Sequence, residues 1–252
     1  MKNGIFITVR SDSTRLPNKA LMDILDKPTI EMVILRAKQV KNANKIVVCT
    51  TERSIDDTIV DIAVRNGVDF YRGSLEDKLE RWLGAAHTYG LDFFVTMDGD
   101  DLLCDPELME CAINQMETGS YDFIESPEGL ICGAFTYGIK TSALEKVCSI
   151  KDTSNTEMMW VYFKETGHFK ISTLNVDDCV FFDKNIRMTL DYDEDFIFFK
   201  TIFEHFKSNF NDVPLRQIVD YLHKNPDVIK INAFRHEEWA ANQKAKTSLI
   251  LK

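Results

Sequence analysis

Six cysteines are scattered through the 252 residues without a single C-x-x-C pair. Cys49, Cys104, Cys111, Cys132, Cys148 and Cys179 show no other metal-ligand spacing, and three of them (Cys49, Cys104 and Cys179) lie in or beside apolar segments. They read as free thiols of a reducing compartment, not as a disulfide framework. The five histidines are equally dispersed, which excludes a histidine-built zinc centre. No run of eighteen apolar residues occurs, and the chain begins directly with a strand-like segment, so neither a membrane span nor a leader is expected. The expected location is the cytoplasm. Basic residues are in deficit: thirty Lys and Arg against forty Asp and Glu leave a formal charge of -10. That excludes a nucleic-acid polymer as the partner, since a basic face is needed to neutralise its backbone. Gly-x-x-x-x-Gly-Lys-Ser/Thr, Gly-x-Gly-x-x-Gly and Gly-x-Ser-x-Gly are all missing, which removes P-loop, dinucleotide-binding and serine-hydrolase readings.

What is present begins at Gly4-Ile-Phe-Ile-Thr-Val9, a short run of β-branched and aromatic residues that reads as a buried strand. Directly after it comes Arg10-Ser-Asp-Ser-Thr-Arg-Leu-Pro-Asn-Lys19. In an open α/β sheet, ligands bind beyond the carboxyl ends of the strands, where this loop must stand. Arg10, Arg15 and Lys19 offer charge; Ser11, Ser13 and Thr14 offer short donors. In so acidic a chain, this concentration of cations points to a polyphosphate of small-molecule size. A merely solvated basic loop is the plainer alternative.

With 44% apolar residues, the chain can bury a large core. Helical spacing predicts helices at 29–40, 56–66 and 76–89, and buried strands are expected at 45–50, 69–71 and 92–97. This alternation is that of a mostly parallel sheet covered on both faces, an α/β Rossmann-like fold. Beyond it, the pattern predicts a helix at 106–117 and a strand at 121–125. A glycine-punctuated strand or hairpin is expected at 130–139, and a short helix at 141–147. The segment 153–166 is apolar almost all round and is expected either in the core or against a second subunit. Strands at 170–174 and 187–191 and helices at 193–207 and 214–223 complete the reading. The tail beyond Phe234 is polar and without periodicity, which suggests an arm or a frayed end.

Two acidic sets follow predicted strands. Asp98-Gly-Asp-Asp101 places carboxylates at the same sheet edge as the first loop and suits a hard, oxygen-preferring cation such as Mg2+. An Asp-Gly turn is the structural alternative. In Asp191-Tyr-Asp-Glu-Asp195, Asp193 and Asp195 can act as helix-start acids, and Asp191, at the strand end, is the metal candidate. Cations and carboxylates gathered at one edge match metal-assisted displacement on a nucleoside triphosphate.

The stretch Val9-Arg-Ser-Asp-Ser-Thr-Arg-Leu-Pro-Asn-Lys-Ala-Leu21 resembles the N-terminal signature of the CTP-dependent cytidylyltransferases. These include the CMP-Kdo and CMP-sialic acid synthetases and especially the spore-coat polysaccharide branch. Thr50-Thr-Glu52 with Asp56-Asp57, Phe70-Tyr-Arg-Gly-Ser-Leu-Glu-Asp77 with Arg81, and Asp98-Gly-Asp-Asp101 with Asp105-Pro106 follow in the family's order. The resemblance extends over most of residues 4–207 and is thin between about 126 and 186. It implies that Arg10, Ser13, Arg15 and Lys19 hold a triphosphate, with Lys19 favouring departure of pyrophosphate. By the same resemblance, Asp100 binds Mg2+, Asp191 completes or orients that site, and Arg72, Gly73 and Ser74 lie near cytosine and ribose. Ser11, Thr14 and Asp98 join the nucleotide-binding set.

One nucleotidyltransferase domain is therefore expected: a nucleotide-binding half (1–125), an acceptor and dimerisation lobe (about 126–186), a return to the core (187–233) and a tail (234–252). The expected reaction is Mg-dependent transfer of CMP from CTP to a sugar acid, such as Kdo or a nonulosonic acid, or to a small phosphate or phosphonate, for surface polysaccharide or related synthesis. Glu157 or Asp193 could assist a hydroxyl acceptor, and a homodimer is implied. Relatives commonly carry small residues where this chain has Asp12 and Asn18, and Lys140 is the nearest cation of the lobe. The competing readings are a glycosyltransferase that uses Asp98-Gly-Asp100 as an Asp-x-Asp motif, and a non-catalytic nucleotide-binding homologue.

Overall fold

The computed structural model describes residues 1–208, 210 and 212–252. In chain order it forms β1 (Asn3–Thr8), a two-strand ribbon of β2 (Asp23–Ile24) and β3 (Lys27–Pro28), α1 (Thr29–Ala37), β4 (Ile46–Thr51), α2 (Asp57–Arg65), β5 (Asp69–Gly73), α3 (Lys78–Tyr89) and β6 (Phe93–Asp98). Then follow α4 (Pro106–Thr118), β7 (Phe123–Glu125), β8 (Tyr137–Lys140), α5 (Thr141–Ile150), α6 (Trp160–Lys164), β9 (Ile171–Thr173), α7 (Asp193–His205), α8 (Leu215–Lys224), α9 (Pro226–Ile229) and α10 (Arg235–Lys246).

Seven strands make one sheet in the order β5-β4-β1-β6-β8-β7-β9. Within it β8 runs against both its neighbours, and the other pairings are parallel. The chain winds from β1 outward to β5, then returns to place β6 on the other side of β1. That reversal opens a crevice beyond the ends of β1 and β6, the usual ligand position in such sheets.

Alternation along the strands divides the core into two layers. Ile5, Ile7, Val95 and Met97 face one layer with α1, α2, α4, α7 and α8. Phe6, Val47 and Phe94 face the other, where Trp82 of α3, Leu144 of α5 and Phe163 of α6 cover them. Phe6 and Phe94 stack at 4.1 Å, and Phe123 stacks on Phe163 at 4.7 Å. The apolar segment 153–166 is thus largely core: Met159, Val161, Tyr162 and Phe163 are buried, with helix only at 160–164.

Three sequence expectations differ from the structure. Residues 187–191 form no regular strand; they run extended between two loops, with one bridge from Arg187 to Cys132 and hydrogen bonds from Met188 to Cys132 and from Leu190 to Asp100. In the glycine-punctuated stretch, only 137–140 is a strand, because residues 130–136 turn back along the crevice. The polar tail is not frayed: residues 235–246 are the helix α10.

Gly133 has φ +89, and a Cβ there would meet the Met188 carbonyl oxygen at 2.0 Å. Replacing it with Ala is expected to lower the urea-unfolding free energy by about 2 kcal/mol or more, since strain and a backbone clash combine.

Candidate active site

A cavity of about 600 Å³ opens beyond the ends of β1 and β6. Its first wall is the loop after β1, which supplies Arg10, Ser13, Thr14, Arg15 and Lys19. Asn18, at φ 56, lets this loop turn in a left-handed conformation that Asn tolerates, just before the short turn at Lys19–Leu21. Asp12 does not line the cavity; it pairs with Arg53, and with the cavity-lining Arg10 at 3.5 Å. Its carboxylate therefore has its own counter-ions.

Lys19 sits in a cage of oxygens. Its Nζ donates to Asp100 Oδ2 at 2.5 Å, to the Leu190 carbonyl at 2.7 Å and to Asp191 Oδ1 at 3.0 Å. Burial pulls its pKa down, but Asp100 and Asp191 outweigh burial and hold the ammonium above its ordinary value. Asp191 is 1% exposed and accepts from Arg15 at 2.5 Å and from Arg187 at 2.9 Å as well as from Lys19. Burial would raise its carboxyl; Lys19 and Arg15 hold it well below the usual carboxylate range. Asp195, also buried, fixes Arg187 from the other side and accepts from the backbone N–H groups of Asp191 and Tyr192. Asp195 is thus a support for Asp191, while Asp193 is exposed at the start of α7.

The second acidic set lies where β6 ends. Carboxylate oxygens of Asp98, Asp100 and Asp101 come within 4.8 Å of one another. Gly99 allows this, because a Cβ there would meet the Val9 side chain at 2.7 Å. The segment is also a turn, closed by Asp101 N–H donating to the Asp98 carbonyl at 3.0 Å. Burial, followed by the charges of Asp100 and Asp98, pushes the Asp101 carboxyl well above its ordinary value. Crowded hard oxygens of this kind fit a divalent cation that would relieve their repulsion. Asp191, the other expected metal ligand, stands outside the trio, and both its oxygens accept from cations.

Four expected nucleotide residues do not line the cavity. Ser11 is buried, and it ties the loop to Asp56 and the Ile55 carbonyl. Arg72 donates to the Thr51 and Arg53 carbonyls and pairs with Asp57 at 2.7 Å. Gly73 packs against Arg81, and Ser74 accepts from the Asp77 N–H through its hydroxyl and from Arg81 through its carbonyl. These residues brace the β5 end. Lys140 lies at the opposite edge, paired with Phe93 at the start of β6.

The structure brings two cations of α3 to the site: Lys78, which no sequence motif marked, and Arg81, which the family's segment order had included without a role. Lys78 lies 4.8 Å over the Trp82 ring and reaches Asp98 at 3.1 Å. Arg81 is 4% exposed and lines the cavity, and its Nε has no hydrogen-bond partner. Among the described residues, no carboxylate lies within ion-pair distance of Arg81. Burial depresses its guanidinium, and Arg10 presses the same way. For Lys78 helical spacing was the available signal, since it shares with Arg81 the face of α3 that carries Trp82.

A cytidylyltransferase family model matches residues 5–167. The chain belongs to the cytidylyltransferase family. It is therefore a nucleotidyltransferase, and the glycosyltransferase reading is set aside. A cytidylyltransferase from Leptospira borgpetersenii superposes with a TM-score of 0.83 at 30% identity, over 91% of this chain and 97% of that one. The spore coat polysaccharide biosynthesis protein SpsF of Bacillus subtilis is 23% identical over 88% of this chain and 94% of its own. A CMP:2-keto-3-deoxy-manno-octonic acid synthetase complexed with CTP shares the fold at a TM-score of 0.64 and 16% identity, over 81% of this chain and 99% of that one. Among the described residues, no helix is long and apolar enough to cross a membrane.

Arg187 is the buried link between Asp191 and Asp195, so Arg187→Met should cost about 3–5 kcal/mol in urea unfolding by leaving the buried Asp195 without a counter-ion and taking one of three cations from Asp191.

Proposed function

We propose that this cytidylyltransferase transfers CMP from CTP, with Mg2+, to a hydroxyl acceptor and releases pyrophosphate. The observation that carries this reading is the Lys19 ammonium, held between Asp100 and Asp191 at the mouth of the β1 loop. The family and the CTP-bound synthetase that shares the fold favour cytidine as the base. SpsF favours a product used in polysaccharide synthesis. The acceptor is a sugar acid such as Kdo or a nonulosonic acid in preference to a phosphate or phosphonate. A homodimeric, cytoplasmic enzyme fits the family, and size measurement in solution tests the assembly.

On this reading the acceptor's hydroxyl oxygen attacks the α-phosphorus in line and gives up its proton to solvent, while the bond from that phosphorus to the bridging oxygen breaks and pyrophosphate leaves. Arg10, Ser13, Thr14, Arg15 and Lys19 hold the phosphates, and Arg81 and Lys78 extend the positive wall along α3. Lys19 is a point charge beside the departing oxygen; Arg15 adds planar donors. Asp98, Asp100 and Asp101 would hold the Mg2+, which when bound supplies charge neutralisation to the phosphates. Asp191 acts on Lys19, Arg15 and Arg187, fixing their positions. Glu157 serves poorly as a base. Burial raises its carboxyl, but Lys246, at 3.0 Å, holds it below the ordinary value as a stable anion.

Lys19→Ala and Asp100→Asn should each cut turnover on the order of a hundredfold or more. Both should still give a folded protein by circular dichroism, and near-normal turnover in both would refute the proposed site. Pyrophosphate release across the four nucleoside triphosphates should favour CTP; an equal rate with UTP would refute the base assignment. Dialysis against EDTA should abolish release and Mg2+ should restore it, while Asp98→Asn with Asp101→Asn should raise the Mg2+ concentration needed for half-activity.

A further inference from the structure

Helix α10 turns His236, Trp239, Gln243 and Lys246 toward the cavity. Spacings of three, four and three residues put them on one helical face. A surface helix ordinarily closes an apolar stripe on the core. Here the stripe is polar and aromatic, none of the helix's residues is buried, and the face borders open space. The helix is held by side chains at its flanks: Arg235 makes two bonds to Glu194, both at 3.0 Å, and Asn242 reaches the Tyr192 hydroxyl at 3.3 Å. It is built to wall a cavity.

Two polar atoms on this wall, Gln243 Oε1 and His236 Nδ1, are shielded from solvent and have no hydrogen-bond partner among the described residues. As the side chains stand neither atom opens on the cavity, so the wall meets a ligand through the Trp239 ring and the Gln243 amide nitrogen, which is not shielded in this way and has no hydrogen-bond partner among the described residues. The Trp239 ring centre lies 5.2 Å from the Arg187 guanidinium carbon, and Arg187 in turn holds Asp191. The indole is thereby fixed close to the Lys19 cage. Lys246 carries the wall's charge but shares it with Glu157 at 3.0 Å.

A phosphate or phosphonate dianion asks for uncompensated cations. A sugar ring asks for an apolar face under its C–H groups and neutral partners for its hydroxyls. The wall supplies the second set. We infer that α10 selects the acceptor: a hydroxyl-rich sugar ring lies against Trp239, and the Gln243 amide nitrogen donates to one of its hydroxyls. This deepens, and rests on, the proposed CMP transfer. The helix lies outside residues 5–167 matched by the family model. Acceptor preference can therefore change there without altering the nucleotide-facing loop.

The test uses the full chain with CTP and Mg2+, offering 3-deoxy-manno-octulosonate, N-acetylneuraminate and 2-aminoethylphosphonate as acceptors. Trp239→Ala and Gln243→Leu should each raise the KM for the sugar acid used by the wild type at least tenfold, leave the KM for CTP within twofold, and leave CTP binding by calorimetry unchanged. Trp239→Phe should restore most of the acceptor affinity. An unchanged sugar KM in both variants, an equal loss of CTP affinity, or a wild-type preference for the phosphonate would overturn the inference. A wild type that binds CTP but releases pyrophosphate with none of the three refutes the transfer reading instead. The wall is then judged by fluorescence titration with the same sugar acids in the presence of CTP. A change in indole emission that vanishes in Trp239→Phe sustains it, and either no change or one that persists in that variant overturns it.

Discussion

The carboxylate of Asp191 ties the molecule's two ends into one site. It accepts from Lys19 and Arg15 of the first loop and from Arg187 of its own segment, so residues more than 170 positions apart share one buried anion. Without that anion, three cations would face one another in a half-enclosed cavity. With it, each acquires a fixed direction. Asp195 completes the arrangement from behind by holding Arg187 and accepting from two backbone N–H groups, and Asn232 donates to Asp195 at 2.8 Å. The Tyr192 ring packs against the Arg15, Arg187 and Arg235 guanidiniums. A long-range polar network thus does what apolar packing does elsewhere in the fold, and it sets the positions of the groups that face the cavity.

Much of the architecture was legible in the sequence because it depends on local periodicity. The strands β1, β4 and β6 carry β-branched and aromatic runs, and the helices between them repeat apolar residues at helical spacing. The first loop was legible for a different reason: Arg10, Arg15 and Lys19 are concentrated in one short window immediately after a strand. Asp98, Asp100 and Asp101 follow another strand, so topology alone brings them to the same edge. Asp191 was expected as a metal ligand, and it stands outside the acidic trio. What it contacts was not legible, because nothing local records that Lys19 and Arg15 occupy its oxygens.

The parts that stayed hidden are those where polarity faces a cavity or where pairing is irregular. Helix α10 carries no apolar stripe, so hydrophobic periodicity could not separate it from a loose arm. Its polar stripe becomes meaningful only once the cavity is there to receive it. Residues 187–191 have strand-like composition but lie where two loops, not two strands, supply hydrogen bonds. Arg72 was expected near the nucleotide because the family resemblance implies it. Its guanidinium is instead consumed by the Thr51 and Arg53 carbonyls and by Asp57. What the resemblance does not record is those partners, which hold the side chain at the β5 end.

A division of labour among the cations follows from their partners. Lys19, Arg15 and Arg187 are engaged with Asp100, Asp191 and Asp195, so their charge is largely balanced before any ligand arrives. Arg81 has no such balance, and Arg10 has only Asp12 at 3.5 Å. On the proposed reading, a triphosphate adds several negative charges to a cavity whose engaged cations are already committed. The unbalanced guanidiniums and a dication at Asp98, Asp100 and Asp101 are the sources of charge that remain. That dication would also offset the burial, and the charges of Asp100 and Asp98, that push the Asp101 carboxyl upward. Metal and nucleotide therefore favour each other's binding through charge alone, and the acidic trio and the basic loop work as one electrostatic unit. The α10 wall stands apart from this exchange because its one cation is paired with Glu157. Acceptor choice can then rest on shape and neutral hydrogen bonding, while charge governs the nucleotide end.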